Sequence, residues 1–258
     1  ASVCGGRGRC STCRVSVGLG RDRLPAPSSV EQRVLTRIGA AADVRLACMV
    51  RPKHSLTVRP LMPPASTPEL ALRPSTHLEG QEREIVILFA DLRGFTSLSE
   101  ARLPYDVVFV LNRYFEAVGQ AVESNNGHID KFIGDGMMAL FGISDDPVRA
   151  ANDALVTARA IAERIDRLNR DLEHDLPNPL RVAIGIHAGT VILGEMGYGR
   201  ARSFTAIGDP VNTTSRLEQI AKDNEVELVV SREVEARAGI DLGRHPLQFV
   251  PVRGRKAA

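Results

Sequence analysis

The stretch His128-Ile-Asp-Lys-Phe-Ile-Gly-Asp-Gly-Met-Met-Ala-Leu-Phe141 decides the fold. Asp135-Gly136 supplies the positive φ of a tight turn, so His128 to Ile133 and Met137 to Phe141 read as the two arms of a hairpin. On its N-terminal side, Val107, Val108, Leu111, Phe115, Val118 and Val122 recur at three- and four-residue steps, an amphipathic helix over Tyr105 to Ser124. Asn125-Asn126-Gly127 stops it. On the other side, Asp146-Pro147 opens a second helix to about Leu172, with Ala150, Ala154, Ala158, Ile161 and Ile165 along one face. Beyond the helices lie two apolar strands, Ile85 to Phe89 and Leu180 to His187. The order β-α-β-β-α-β predicts an α+β sheet with helices on one side.

Further strands are expected at Val191 to Met196, Ser203 to Ile207, Glu227 to Val230 and Leu247 to Val252, with a helix from Asp209-Pro210 to about Ala221. Upstream the texture changes. Pro60, Pro63, Pro64, Pro68 and Pro74 stand among Ser, Thr and Ala without any period, and residues 61–80 read as a linker. The chain therefore divides at residues 1–60, 61–80 and 81–258. Its 258 residues are 43% hydrophobic and 25% charged, enough to bury a sizeable core. The net charge of +2 hides an imbalance: residues 1–80 carry +7 and residues 81–258 carry −5. The basic excess is scattered without interleaved aromatics, which argues against a nucleic-acid partner. The longest strongly apolar run is Ile85 to Ala90, far short of the ~18 residues of a bilayer span. The expected location is cytoplasmic, with any membrane anchor upstream, because the chain starts at Ala1 and its ends read as cuts in a longer protein.

Cys4, Cys10 and Cys13 lie around a glycine-rich loop, and Cys48 follows after 34 intervening residues. Thiolates so placed can wrap a small metal centre, because glycine lets backbone amides approach inorganic sulfurs. A zinc site or a disulfide pair would draw on the same residues. Zinc favours paired Cys-x-x-Cys units, however, and nothing in the chain marks an oxidising compartment. The spacing and loop text resemble the adrenodoxin-like branch of the [2Fe–2S] ferredoxins. That resemblance implies a partial β-grasp module over residues 1–60, with all four cysteines as ligands of a [2Fe–2S] cluster.

Asp91 closes an apolar strand and Asp135 sits at the hairpin tip. Each alone is more often a strand-end or turn residue than a ligand. Together, on a central strand and its neighbouring hairpin, two carboxylates repel unless divalent cations lie between them. Two metals about 3.5–4 Å apart can clamp the attacking and leaving oxygens of a phosphoryl displacement. Asn212 and Arg216 stand four apart on a predicted helix and face one way. A fixed guanidinium there can stabilise charge on phosphorus. His128 and His187 fall in predicted strands and read as packing residues.

Residues 83–258 resemble the catalytic domain of class III adenylate/guanylate cyclases. The resemblance runs through Phe89-Ala-Asp-Leu-Arg-Gly-Phe-Thr96, Lys131-Phe-Ile-Gly-Asp135, Gly185 to Gly194, and Ile207-Gly-Asp-Pro-Val-Asn212 through Arg216. It implies a ferredoxin-like (βαββαβ) sheet. Asp91 and Asp135 would hold two Mg²⁺ or Mn²⁺ ions, and the backbone at Gly94, Phe95 and Thr96 would cradle phosphates. Lys131 and Thr205 would read the base, Asn212 would orient the ribose, and Arg216 would contact the α-phosphate. Arg253 or Arg255 would meet the triphosphate. Lys131 donates to an acceptor such as adenine N1, and Thr205 can accept from the adenine amino group, though its hydroxyl can also donate.

The resemblance thus implies an adenylate cyclase making 3′,5′-cyclic AMP and pyrophosphate from ATP, as a homodimer with its sites at the interface. The adjacent cysteine module suggests redox regulation and a redox partner. The alternatives are a guanylate cyclase, a non-catalytic nucleotide-binding redox regulator, or an electron carrier.

Overall fold

The computed structural model describes residues 4–61, 80–100, 102–144, 146–198, 201–243 and 245–248. The chain forms two compact units, residues 1–82 with 194–203, and residues 83–193 with 204–258. The Pro-rich linker expected at 61–80 lies almost wholly outside the described residues.

In the first unit, β1 (Arg14–Val17) pairs antiparallel with both β2 (Val44–Leu46) and β3 (Val58–Pro60), giving the order β2-β1-β3. The α-helix α1 (Ser29–Arg37) begins where the Ser28 hydroxyl accepts from the Glu31 amide. Its Leu35 packs on Val44 and Leu46 in a small core. Glu31, 1% exposed, is held by two 2.9 Å bonds from Arg45 and by the Leu46 amide at 2.9 Å.

The second unit holds most of β4 (Gln81–Leu92), β7 (Val182–Tyr198) and β8 (Ala201–Ile207), with α2 (Phe95–Glu100), α3 (Pro104–Glu123), β5 (His128–Ile133), β6 (Gly136–Phe141), α4 (Pro147–Asp171), α5 (Asp209–Asp223), β9 (Leu228–Val230) and α6 (Arg232–Ala238). The strand order is β5-β6-β4-β7-β8, with β9 added to β7 in parallel. Its first four strands are those of the βαββαβ pattern, as the hairpin and its flanking helices predict. Pro104 and Pro147 open α3 and α4 where a missing N–H costs nothing, and the Asp146 side chain caps α4 by accepting from the Val148 amide.

Both faces of β4 are buried. Val86, Leu88, Ala90 and Leu92 pack with Val110, Tyr114 and Val118 of α3 and Ala154, Ile161 and Ile165 of α4. Ile85 and Ile87 join Met138, Leu140, Val191, Leu193 and Ala206 in a second core. Each such aliphatic side chain contributes about 1.5–3 kcal/mol on burial.

Three expectations are corrected. The helices are not all on one side: α5 lies against the face opposite α3 and α4. A Cβ at Gly185 of β7 would stand 2.4 Å from the Glu218 amide nitrogen and 2.6 Å from the Thr214 carbonyl, a close approach that requires glycine. The strands expected at 180–187 and 191–196 are one, β7, and the Pro210 ring packs so closely on Gly189 within it that a Cβ there would stand 2.6 Å from the ring. The positive φ of the hairpin falls on Gly134 (+62°), the first of its two loop residues, and not on Gly136. Of the strand expected at 247–252, residues 247 and 248 are irregular and the rest lie outside the described residues.

Candidate active site

Asp91, one residue from the end of β4, shares the face of Ile85 and Ile87, away from α3 and α4. The pairing of Ala90 with Met137 brings the hairpin tip beside it. A Cβ on Gly136 would lie in ordinary contact, 3.6 Å, with Asp91 Cγ, which places the hairpin tip directly against that carboxylate. The Asp135 carboxyl is pushed up to about 6, first by burial and then by the Asp91 carboxylate against it. The two acids predicted to meet therefore do meet.

Gly94, Phe95 and Thr96 follow at once in chain and space. With Asp91, Asp135 and Lys222 they line a cleft of about 500 Å³. Lys222, on α5, was not singled out from the sequence. Its ammonium bonds Asp91 Oδ2 and lies 3.1 Å from Glu218 Oε1. Burial works against its charge, but these two carboxylates outweigh it and hold the ammonium above its ordinary value. Glu218 is raised, chiefly by burial. Its signal was the four-residue spacing Glu218 to Lys222, common on any solvated helix.

The donor set fits a divalent cation. Asp91 Oδ1 is buried without a hydrogen-bond partner, next to a second carboxyl group. Among the described residues no three His, Cys, Asp or Glu side chains form a group that could hold a metal. Two carboxylates suit Mg²⁺, which fills its remaining positions with water and substrate phosphate oxygens.

Lys131 and Thr205 meet on neither side of this cleft but with each other: Lys131 Nζ donates to Thr205 Oγ1 at 3.0 Å. Between them is Asp130, which the sequence reading passed over. Its side chain is fully buried, Thr205 Oγ1 donates to its Oδ2 at 2.5 Å, and Lys131 Nζ stands 3.3 Å from its Oδ1. Adjacent strand residues ordinarily point to opposite faces. Here the register shifts between Ile129 and Lys131, and this bulge lets Asp130 and Lys131 turn to the same hydroxyl. A bulge leaves no trace in an alternation count.

Asn212 is exposed and Arg216 half-buried, one turn apart on α5, and neither lines the cleft. Arg253 and Arg255 lie outside the described residues. His187 is packed, with Nδ1 2.9 Å from Ser231 Oγ.

The four cysteines are free thiols. Cys13 Sγ lies 3.4 Å from Cys48 Sγ, Cys4 is hydrogen-bonded to Cys10, and Cys48 feels both Cys13 and Cys4. The Cys4 thiol is lowered to about 7: burial opposes this, but the amides of Arg9, Cys10 and Arg7 and the Cys10 side chain outweigh it. Cys48 is pushed up to about 11 by burial and by Cys13, against an amide bond from Gly8.

Residues 79–256 match the family described as the adenylate and guanylate cyclase catalytic domain. The chain is 36% identical over 157 residues to an adenylate cyclase of Anabaena cylindrica, covering 59% of this chain and 30% of that protein. It is similar to the crystal structure of the adenylyl cyclase CyaB from P. aeruginosa, with a TM-score of 0.58 and 28% identity over 63% of this chain and 83% of that one. It is also similar to the crystal structure of the guanylyl cyclase Cya2, with a TM-score of 0.56 and 33% identity over 69% of this chain and 89% of that one. The chain spans about a third of the length of the curated relatives it matches, 30% and 32% for two of them. No helix among the described residues is long and apolar enough to cross a membrane.

Proposed function

Because the chain belongs to the adenylate and guanylate cyclase catalytic domain family, we propose that it converts ATP to 3′,5′-cyclic AMP and pyrophosphate. The observation that carries this reading is the shared cleft: Asp91, Asp135 and the backbone at Gly94, Phe95 and Thr96 line one wall-to-wall space. Asp91 and Asp135 hold Mg²⁺ or Mn²⁺, which supplies Lewis acidity toward the 3′-hydroxyl and the triphosphate. The Gly94 to Thr96 backbone receives phosphate oxygens. Lys131 and Thr205 present a donor and a hydroxyl to the purine edge, which supports ATP over GTP. Asn212 orients the ribose. Arg216 offsets the charge that develops on the α-phosphate as the 3′-oxygen attacks and pyrophosphate departs. Arg253 or Arg255 is assigned to the triphosphate.

Asp91 and Asp135 line the cleft while Lys131, Thr205, Asn212 and Arg216 do not. This favours a two-fold homodimer in which each site draws the carboxylates from one copy and the base, ribose and phosphate contacts from the other. ATP as substrate puts the reaction in the cytoplasm. The cysteine loop supports a further part of the reading, a [2Fe–2S] cluster coupled to cyclase output through a redox partner. Its amide donors toward Cys4 and Cys48 are the kind such sulfurs receive. Visible absorption that bleaches on reduction, with a change in cyclase rate, is the expected result; no iron bound after anaerobic reconstitution overturns it.

The test of the main reading is incubation with ATP or GTP and Mn²⁺, with products identified. Cyclic AMP and pyrophosphate are expected. Faster turnover of GTP would assign the guanylate alternative, and nucleotide binding without product would assign a non-catalytic regulator.

A further inference from the structure

We infer that Asp130 is the specificity-determining positioning residue of this site: it fixes the polarity of the Thr205 hydroxyl and thereby makes threonine behave as an acceptor. The inference rests on the reading that Lys131 and Thr205 face the purine edge.

A threonine hydroxyl has one proton and two lone pairs, so on its own it can serve either a donor or an acceptor. That freedom should make it a poor judge between adenine, whose 6-position carries an amino donor, and guanine, whose 6-position carries a carbonyl acceptor. The surroundings of Thr205 remove the choice. Asp130, beside the Lys131 ammonium, is a carboxylate and only accepts, so the 2.5 Å contact to its Oδ2 consumes the one Thr205 proton. Lys131 Nζ, a donor only, takes one lone pair of Oγ1 at 3.0 Å. What Thr205 has left is a single lone pair.

Lys131 is held in the same way. One N–H goes to Thr205, while the ammonium stands 3.3 Å from Asp130 Oδ1 as an ion pair without a hydrogen bond, and the charge is held in place with an N–H left for the nucleotide. The pair then offers one donor and one acceptor, the complement of adenine N1 and its amino group. Guanine would meet this pair with N1–H against an ammonium and O6 against a lone pair. Because Asp130 is fully buried while Lys131 is partly exposed, the orienting bond is shielded from water and the reading group is not.

Replacing Asp130 by Asn keeps the shape and frees the hydroxyl to rotate. Asp130→Asn is expected to lower the ATP-over-GTP ratio of kcat/KM at least about tenfold, mainly by improving GTP, with the melting temperature little changed. Adding Thr205→Asp in the same chain restores an intrinsic acceptor and is expected to recover most of the selectivity, which a purely structural role for Asp130 would not do. The same ratio is read by calorimetric binding of the α,β-methylene analogues of ATP and GTP, which needs no turnover. A folded Asp130→Asn protein that keeps the parent ratio, or a double variant no more selective than the single, overturns the inference. A parent protein that prefers GTP, or binds both analogues alike, overturns instead the reading on which it rests.

Discussion

Glu31 shows how much one side chain can carry in a small unit. It is buried, and burial opposes its charge, yet Arg45 and the backbone amides of Leu46 and Ser28 together hold its carboxyl below the usual range. A carboxylate lowered in the folded state contributes stability that is complete above its unfolded value near pH ~4.3 and fades as pH falls through the folded one. Protection of the Leu46 amide from hydrogen exchange, corrected for the intrinsic rate, is therefore expected to fall below about pH 4. Glu31→Gln should flatten that dependence, and Glu31→Ala should cost about 3–5 kcal/mol by stranding Arg45. An unaltered acid profile in Glu31→Gln would refute this. At this scale the sequence was legible where chemistry dictates type, as at Asp91 and Asp135. It was silent where geometry decides, as at Asp130, whose role depends on a bulge, and at Lys222, whose partner is 131 positions away.

Among the elements, α3, β5, β6 and α4 could be read to within a residue or two, because their periods are long and their ends carry Pro, Asn and Gly signals. The short helices α2 and α6 escaped, having too few turns to show a period. β7 reads as two strands in the sequence, whereas in the fold it runs unbroken through Gly189, on which the ring of Pro210 from α5 packs. The contact of β7 with α5 also carries a prediction. At Gly185 the obstructing atoms are backbone, which cannot rotate aside. Gly185→Ala should destabilise by about 1–3 kcal/mol or more. It should also displace α5, the helix bearing Asn212, Arg216 and Lys222. A lowered melting temperature together with reduced cyclase rate is the expected result; a protein unchanged in both would show that α5 shifts freely.

For the whole molecule, the proposed division of the site between two copies makes a sharp test. Asp91→Ala and Arg216→Ala chains should each be inactive alone. Mixed and allowed to exchange, random pairing gives half the dimers one intact site of two, so activity should return to about a quarter of the parent value. If the mixture stays as inactive as its components, each chain works alone. The α+β class and the β-α-β-β-α-β succession of elements followed from the hairpin and its flanking helices. The placement of α5 on the opposite face did not, because an amphipathic pattern tells that a helix has an inner side and not which side of a sheet receives it.

β4 is committed twice, its even positions to one core and its odd positions to the other. Such a strand can accept new letters but not a new count. Dropping one residue between Ile85 and Asp91 would exchange its left and right hands at a stroke, hiding the acid beneath the helices while the spelling of Asp-Leu-Arg-Gly stayed intact.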